Sequence, residues 1–584
     1  MKKITSLLLL TLVSFTLSCN NSDKNTTNNL DVKSKDKLTL KATPKPSASV
    51  YPETFHPGYK TKLPDGGIYK NKQIIFTAPK ETYLETISDK FIDYTNYYTS
   101  TGMSEGLAKI NKTKSVYVGK GQKIIIDNVR ELPPNPKTIV QPKNFEARGL
   151  YITYTVAGGG YIFKIAKEMK KLNMNTMIID AKDMDGHLSY KSEVPLAKEI
   201  GATGKYPPIR NLKKLVEMLH KDGFHVVMRQ TLFHDELMGA KKPQYAPRSK
   251  SNGGPWKESN RVVWVDPSNK IIQDYHLAIS KELAQMGVDE IQYDYVRFPA
   301  WGNTKDAKYG FDETKIKKHE IITGFLKRQR ENLAPYKVLM SADVYGVVAW
   351  DQDVDMNITG QKIADMAKYL DILSPMLYPS HFFPPFDGFS VPGSQPYHFL
   401  NSGVKRTRNK TLGTNVTIRP WIQAFTWRAP NYSPDYVYQQ IKATNDAYSA
   451  GWLLWNAGNE YKIAFQGISK FKNKYPNQAN LDKLLAKSAD KGLMGEKKKE
   501  EVVAITKVTK EDNKKVVDKN VNTNVKIDNK SKSPEPIEST KIDNKKEVKV
   551  ETEKMKAKDI KTETNNTEKA NKTELPNLSG SSAK

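Results

Sequence analysis

The stretch NKIIQDYHLAISKELAQMGVDEIQYDYVRFP, Asn269 to Pro299, decides the fold. Its first part, Asn269–Met286, is an amphipathic helical pattern, and Val288–Phe298 is a run of β-branched and aromatic residues. Helix delivered into buried strand is the repeating half of a βαβ unit, and the alternation continues on both sides. Strand-like runs occupy Leu150–Ala157, Met174–Ala181, His225–Phe233, Val288–Phe298, Lys337–Tyr345, Asp371–Tyr378, Thr417–Phe425 and Ala450–Trp455. Helical patterns such as Asn211–Lys221 and Lys315–Asn332 lie between them. Strands alternating with helices predict a parallel α/β architecture. Eight such units over roughly 330 residues fit a closed (β/α)8 TIM barrel better than an open doubly wound sheet. No glycine-rich phosphate loop follows the first run, which argues against a dinucleotide fold.

The rest of the 584-residue chain is organised around that barrel, which is expected over 146–480. Residues 51–145 contain short strand-like runs, Gln73–Thr77 and Lys123–Val129, and read as a small β-rich module. Its clearest feature is a hairpin expected over Ser115–Val129, with Gly119 and Gly121 at the turn. ELPPNPK, Glu131–Lys137, makes a stiff connection to the barrel. After Tyr475 there is no aromatic residue, and from Glu496 onward Lys alternates with Glu, Asp, Asn and Thr. A segment so poor in apolar side chains cannot offset its ordering entropy, so 481–584 is expected to be a disordered tail.

The amino terminus reads as an export signal. Lys2 and Lys3 precede a largely apolar run, Ile4–Leu17, too short to span a bilayer comfortably. Cys19, the single cysteine of the chain, follows directly and resembles the modified residue of a bacterial lipobox. Residues 1–18 are therefore expected to be a signal peptide and 19–50 a polar tether behind a lipid-modified Cys19. That makes the protein an exported, membrane-anchored lipoprotein of the bacterial cell envelope. One cysteine leaves no intramolecular disulfide, so packing alone must supply stability.

A net charge of +28 favours anionic partners. No helix-turn-helix, zinc finger or aromatic-basic RNA signature accompanies it, so nucleic acid is not an expected partner. HExxH, cysteine-rich metal clusters and the GxSxG elbow are absent from the sequence. Asp183-x-Asp185-Gly186 echoes part of a calcium loop but lacks the downstream bidentate Glu. Neither metal nor cofactor is expected.

In a barrel of this type the reactive groups cluster at the carboxyl ends of the strands. The fourth run ends DEIQYDYVRFP, Asp289–Pro299, with Gln292, Asp294 and Val296 on one face, which aims Asp294 into the mouth if Val296 faces inward, with Arg297 as a candidate ion-pair partner. The next run places Asp343 near its end, and the second offers Asp180. Asp294/Asp343 or Asp180/Asp343 supplies the two carboxyls that glycoside hydrolysis needs. Around them, Arg297, Tyr378, His381, Arg419, Trp421, Gln423, Trp455 and Asn456 are candidate substrate-binding residues, with Trp301, Trp350, Trp427 and Phe383 in the following loops. Aromatic faces beside amide and hydroxyl groups suit sugar rings, which present an apolar face and a polar rim.

At RGLYITY (Arg148), IIDAKD (Ile178), WVDPSN (Trp264), IQYDYVRFP (Ile291), SADVYG (Ser341), ILSPMLYPSH (Ile372), IRPWIQAF (Ile418) and GWLLWNAGNEY (Gly451), the chain resembles a bacterial family of glycoside hydrolase-like barrel domains related to the amylase-type hydrolases. The resemblance covers the barrel alone. It implies the fold, and a hydrolase acting on an envelope or extracellular polysaccharide with retention. It implies Asp294 as nucleophile, since amylase-like barrels carry theirs on the fourth strand. Their acid is usually a Glu after strand five, where this chain has Asp343. The alternative is a non-catalytic carbohydrate-binding or adhesive envelope lipoprotein.

Overall fold

The computed structural model describes residues 52–142, 145–350 and 353–471. The signal peptide, Cys19, the tether up to 50 and the disordered tail expected from the sequence lie outside the described residues. Among the described residues no helix is long and apolar enough to cross a membrane.

Eight parallel strands close on themselves: β1 (Ala147–Ile152), β2 (Thr176–Lys182), β3 (His225–Thr231), β4 (Glu290–Asp294), β5 (Leu339–Tyr345), β6 (Ile372–Met376), β7 (Thr417–Ile418 and Trp421–Gln423) and β8 (Gly451–Trp455). Each pairs with its sequence neighbour, and β8 pairs with β1 through Gly451↔Ala147 to Leu454↔Leu150. Each is followed by an outer helix: α1 (Tyr161–Lys171), α2 (Leu212–Lys221), α3 (Lys270–Gln285), α4 (Lys318–Leu333), α5 (Ile363–Met366), α6 (Pro396–Lys410), α7 (Pro434–Asp446) and α8 (Lys462–Phe471). This is the expected (β/α)8 barrel.

The α3–β4 unit shows why the sequence folds this way. Asn269 caps α3, its side chain accepting from the Ile271 and Ile272 amides at 2.9 and 3.3 Å. Ile272, Tyr275, Ile279 and Leu283 recur at helical spacing and are buried against the barrel. Gly287 then takes φ +81°, the left-handed turn that ends the helix. A Cβ there would stand 2.4 Å from the Pro136 carbonyl, so the connecting segment passes directly against this turn. Beyond it every residue of β4 is buried, as expected of a strand walled by helices outside and by the barrel interior within.

Proline explains the break in β7. Pro420 has no N–H to give the ladder, and the strand is interrupted at Arg419-Pro420, where the Arg419 amide still donates to Leu373 and the Pro420 carbonyl accepts from Leu453. The run expected as Thr417–Phe425 is therefore two short segments. The β-rich module proves to be mixed. Gly67–Lys70, Gln73–Thr77 and Lys123–Ile126 form an antiparallel sheet, covered by helices Leu84–Phe91 and Ser100–Ile110. The hairpin expected over Ser115–Val129 is corrected: Tyr117–Val118 pairs with Thr82–Tyr83, whereas Lys123–Ile126 pairs with Gln73–Thr77. The glycine turn exists, with Gln122 N–H donating to the Gly119 carbonyl, but its arms enter different sheets. Arg130 clamps the module to α2 through both oxygens of Glu217, at 2.7 and 2.9 Å.

Side chains fill the barrel in layers. At the amino-terminal end Glu290 accepts from Arg419 and meets His225 at 2.9 Å. Ile178, Val227 and Leu453 pack above them, with Gly149 needed on β1 because a Cβ would meet Ile178 at 2.9 Å and Leu453 at 3.0 Å. The polar groups of the next layer form the site.

Candidate active site

At the carboxyl end, β1 to β5 contribute Tyr151, Asp180, Arg229, Asp294 and Asp343, and β7 and β8 contribute Trp421 and Trp455. Period-two alternation places them inside: Tyr151 and Trp421 pack with Ile178, Val227 and Leu453, while Leu150, Ile179 and Met228 face the helices.

Arg229 is the hub. Its Nη1 donates to Asp180 Oδ1 at 2.6 Å, and its Nε and Nη2 both reach Asp294 Oδ2, at 3.0 and 2.8 Å. Asp183 Oδ1 lies 3.4 Å away. Burial opposes the charge of Arg229, and the carboxylates of Asp294 and Asp180 overcome that cost, so the guanidinium is held ionised. Tyr151 donates to the other oxygen of Asp180. The Arg229 guanidinium also faces the rings of Tyr151 and Trp455, at 5.7 and 5.2 Å.

Asp294 is fixed from its other side as well. Tyr295, immediately after β4, adopts φ +51°, and its amide donates to Asp294 Oδ1 at 2.6 Å. A left-handed tyrosine persists only where its surroundings impose it, and such residues concentrate at functional sites. Asp343 stands beside Asp294, because β4 and β5 pair Gln292↔Ser341 and Tyr293↔Ala342 and the next step aligns the two aspartates. Trp421 Nε1 donates to Asp343 Oδ1 at 2.8 Å. Burial pushes the Asp343 carboxyl well above the usual carboxylate range, and the charge of Asp294 adds to it. Asp180 is pushed up to about 7, chiefly by burial, with Arg229 opposing. The mouth thus holds Asp294, paired with the Arg229 guanidinium, beside Asp343, whose carboxyl pKa burial raises.

The other residues expected at the site divide by position. Tyr378 is buried beside Asp343 and Asp294, which raise its hydroxyl pKa further after burial has done so. Trp455 stacks on Tyr151 at 4.2 Å and meets Trp421 edge-on at 5.5 Å. His381 lies on the exposed rim, its ring 5.1 Å from both Tyr378 and Trp427. Gln423 is fully buried, donating to the Phe425 and Trp427 carbonyls and accepting from the Ser380 amide. Asn456 is occupied by the loops after β7 and β8, donating to the Ala424 carbonyl and accepting from the Gly458 amide. Arg419 stands apart at the amino-terminal end, paired with Glu290. Arg297 is not the partner of Asp294. Its guanidinium lies over Trp264 and Tyr345, at 4.7 and 4.6 Å, and donates to the Phe298 carbonyl. Its place outside the mouth follows from the turn at Tyr295, which ends the strand's alternation. Trp350 is core, packed on Phe382 and Phe386.

Arg229 and Tyr151 were missed in the sequence. The signal was available: in HVVMRQT, Arg229 shares a strand face with His225, Val227 and Thr231, and an interior cation demands an interior anion. Asp183 and Asp185 of the calcium-like stretch accept from the amides of Met184 and His187. Among the described residues no cluster of three His, Cys, Asp or Glu side chains is placed to hold a metal ion.

Solved structures similar to the chain include a hypothetical protein from Ruminiclostridium thermocellum ATCC 27405, 36% identical, covering 33% of this chain and 97% of its own, with a TM-score of 0.30. The PgaB (BpsB) glycoside hydrolase domain from Bordetella bronchiseptica is 12% identical over 55% of this chain and 98% of its own, with a TM-score of 0.41. An alpha-amylase from Lactobacillus plantarum is 13% identical over 55% of this chain and 72% of its own, with a TM-score of 0.36. No curated protein matches the chain in sequence. A family model described as "Putative glycosyl hydrolase domain" matches residues 149–461, from β1 to the loop after β8, and the chain belongs to that family.

Proposed function

We propose that the barrel hydrolyses O-glycosidic bonds of an envelope or extracellular polysaccharide with retention, using Asp294 as nucleophile and Asp343 as acid. The observation that carries this reading is the pair of unlike environments at the mouth. Asp294 is paired with Arg229 at 2.8 Å, whereas burial raises the Asp343 carboxyl well above the usual range, and unlike environments for two carboxyls are the mark of a divided acid and base role. Arg229 and the Tyr295 amide orient the Asp294 carboxylate toward a bound anomeric carbon. Asp343 keeps its proton through burial and delivers it to the departing oxygen. The resulting glycosyl–Asp294 ester is then hydrolysed by water that Asp343, now ionised, deprotonates. Asp294 and Asp343 stand at the ends of neighbouring strands, an arrangement open to direct attack, which needs the two carboxyls about 5–5.5 Å apart. Trp455 and Tyr378 supply the apolar ring faces of the pocket.

Screening the purified chain against envelope and storage glycans for released reducing ends tests the activity, and NMR of the first-formed anomer tests retention. Asp294→Asn should lose turnover by orders of magnitude while staying folded, because Arg229 keeps Asp180 as partner. A fully active Asp294→Asn protein, or a first-formed anomer of inverted configuration, would overturn the assignment. Export and anchoring through Cys19 are part of the same proposal and rest on the sequence.

A further inference from the structure

The loops after β6 and β7 enclose a groove of about 560 Å³ lined in part by Phe383, Val391, Pro392, Thr426 and Arg428. Beside it, ring contacts run from Tyr378 at the mouth to His381 and on to Trp427, the neighbour of the lining residue Arg428, each step 5.1 Å. Phe383 and Trp427 are 59% and 51% exposed, and Trp301, 58% exposed, meets Phe383 at 6.4 Å from the opposite loop. Large aromatic faces left in water beside a catalytic mouth are surfaces for a ring to stack on.

Arg428 gives the groove its selectivity. Its guanidinium lies 4.5 Å from the Trp427 ring and 5.5 Å from that of Phe383. No carboxylate among the described residues pairs with it, and the groove lining contains no acid. The contrast with Arg229, which is engaged by Asp180, Asp183 and Asp294, is direct. The backbone beneath is built rather than loose. Arg428 takes φ +48°, and a Cβ on Gly393 would stand 1.8 Å from its carbonyl. Gln423 ties the same loop to β7 through the Trp427 carbonyl at 3.2 Å and joins it to the β6 loop through the Ser380 amide at 3.2 Å. A cation with no carboxylate partner among the described residues, held over aromatic faces in a fixed loop, is complementary to an anionic group on a sugar that accepts two hydrogen bonds at once.

We propose that this groove is a subsite for a sugar bearing an anionic group, carboxylate or phosphate, within the polysaccharide cleaved at Asp294 and Asp343. The proposal rests on that hydrolase reading for its substrate, and its test is read by binding alone. Calorimetric titration of the full chain with a galacturonic acid oligomer, with the methyl ester of that oligomer, and with a phosphorylated mannose oligomer separates the cases. The acidic oligomer should bind about tenfold more tightly than its ester, with the difference shrinking as salt rises. Tighter binding of the phosphorylated oligomer than of the uronate would identify phosphate as the favoured anion. Arg428→Gln should erase the preference for charge and leave the ester's affinity unchanged, and Trp427→Ala should weaken all of them. Equal binding of acid and ester, binding of none of the three, or a preference that survives Arg428→Gln overturns the proposal. Loss of reducing-end release with the charge preference intact instead counts against the hydrolase reading.

Discussion

Arg229 grips Asp294 with two nitrogens on one carboxylate oxygen, Nη2 at 2.8 Å and Nε at 3.0 Å, and both residues are buried. The pair orients the proposed nucleophile, and its Asp180 arm ties β2, β3 and β4 into one charged unit. Removing the cation leaves Asp180 and Asp294 buried without their shared partner.

Arg229→Gln should therefore cost about 3–5 kcal/mol of stability, the usual penalty for breaking a buried pair. Arg229→Lys should recover part of that loss, because it restores charge without the planar fork. Chemical denaturation of the three proteins measures it. A loss below about 1 kcal/mol for Arg229→Gln would mean that the aspartates take up protons without consequence.

Asp343 must be protonated to act as acid, so its raised pKa sets the alkaline limb of the rate profile. Activity should fall as pH climbs through that value, and Asp343→Asn should lose this limb while sparing substrates with activated leaving groups. Trp421→Phe removes the indole hydrogen bond that favours the ionised form. The alkaline limb of kcat should then move to higher pH. A profile unchanged in Trp421→Phe would separate Asp343 from that limb.

Asp180 bears on stability. Its carboxyl is raised from 3.8 to about 7 by burial, so the folded protein binds a proton more tightly than the unfolded chain does. Stability from this group is complete below about pH 4 and is lost as pH rises toward 7. Asp180→Asn should flatten the fall in melting temperature between those values, by an amount on the order of a few kcal/mol of stability. An identical slope in wild type and variant would place the proton elsewhere in the cluster.

Cys19 and the tail are predictions from the sequence. Cys19→Ser should move the protein from the membrane to the soluble fraction, since a lone thiol behind an apolar run is the attachment point that the proposed anchor requires. Truncation at about residue 490 should leave the cooperative melting transition of the barrel almost unchanged, because the residues removed carry no aromatic side chain. Unchanged fractionation, or a large drop in melting temperature, would refute the respective idea.

The sequence by itself determined the barrel. Alternating strand and helix periods come from local burial on one face of each element, and every strand of the closed sheet overlaps its expected run; β4, expected over Val288–Phe298, occupies Glu290–Asp294, and the run expected over Leu150–Ala157 turns helical from Tyr154. It also placed Asp294 and Asp343 at strand ends, because a two-residue period fixes which side chains face inward. Tertiary structure alone decided the partners. Arg229 and Asp294 are 65 residues apart, and their register follows from how β3 pairs with β4. Arg297, three residues beyond Asp294, was the nearer candidate in sequence, and the left-handed turn at Tyr295 carries it onto Trp264 instead. The hairpin at Gly119 failed for the same reason: turn chemistry is local, but which strand each arm joins depends on where a distant sheet leaves an open edge. The burial that raises the Asp343 carboxyl pKa and the Arg229 fork that grips Asp294 likewise come from neighbours on other strands.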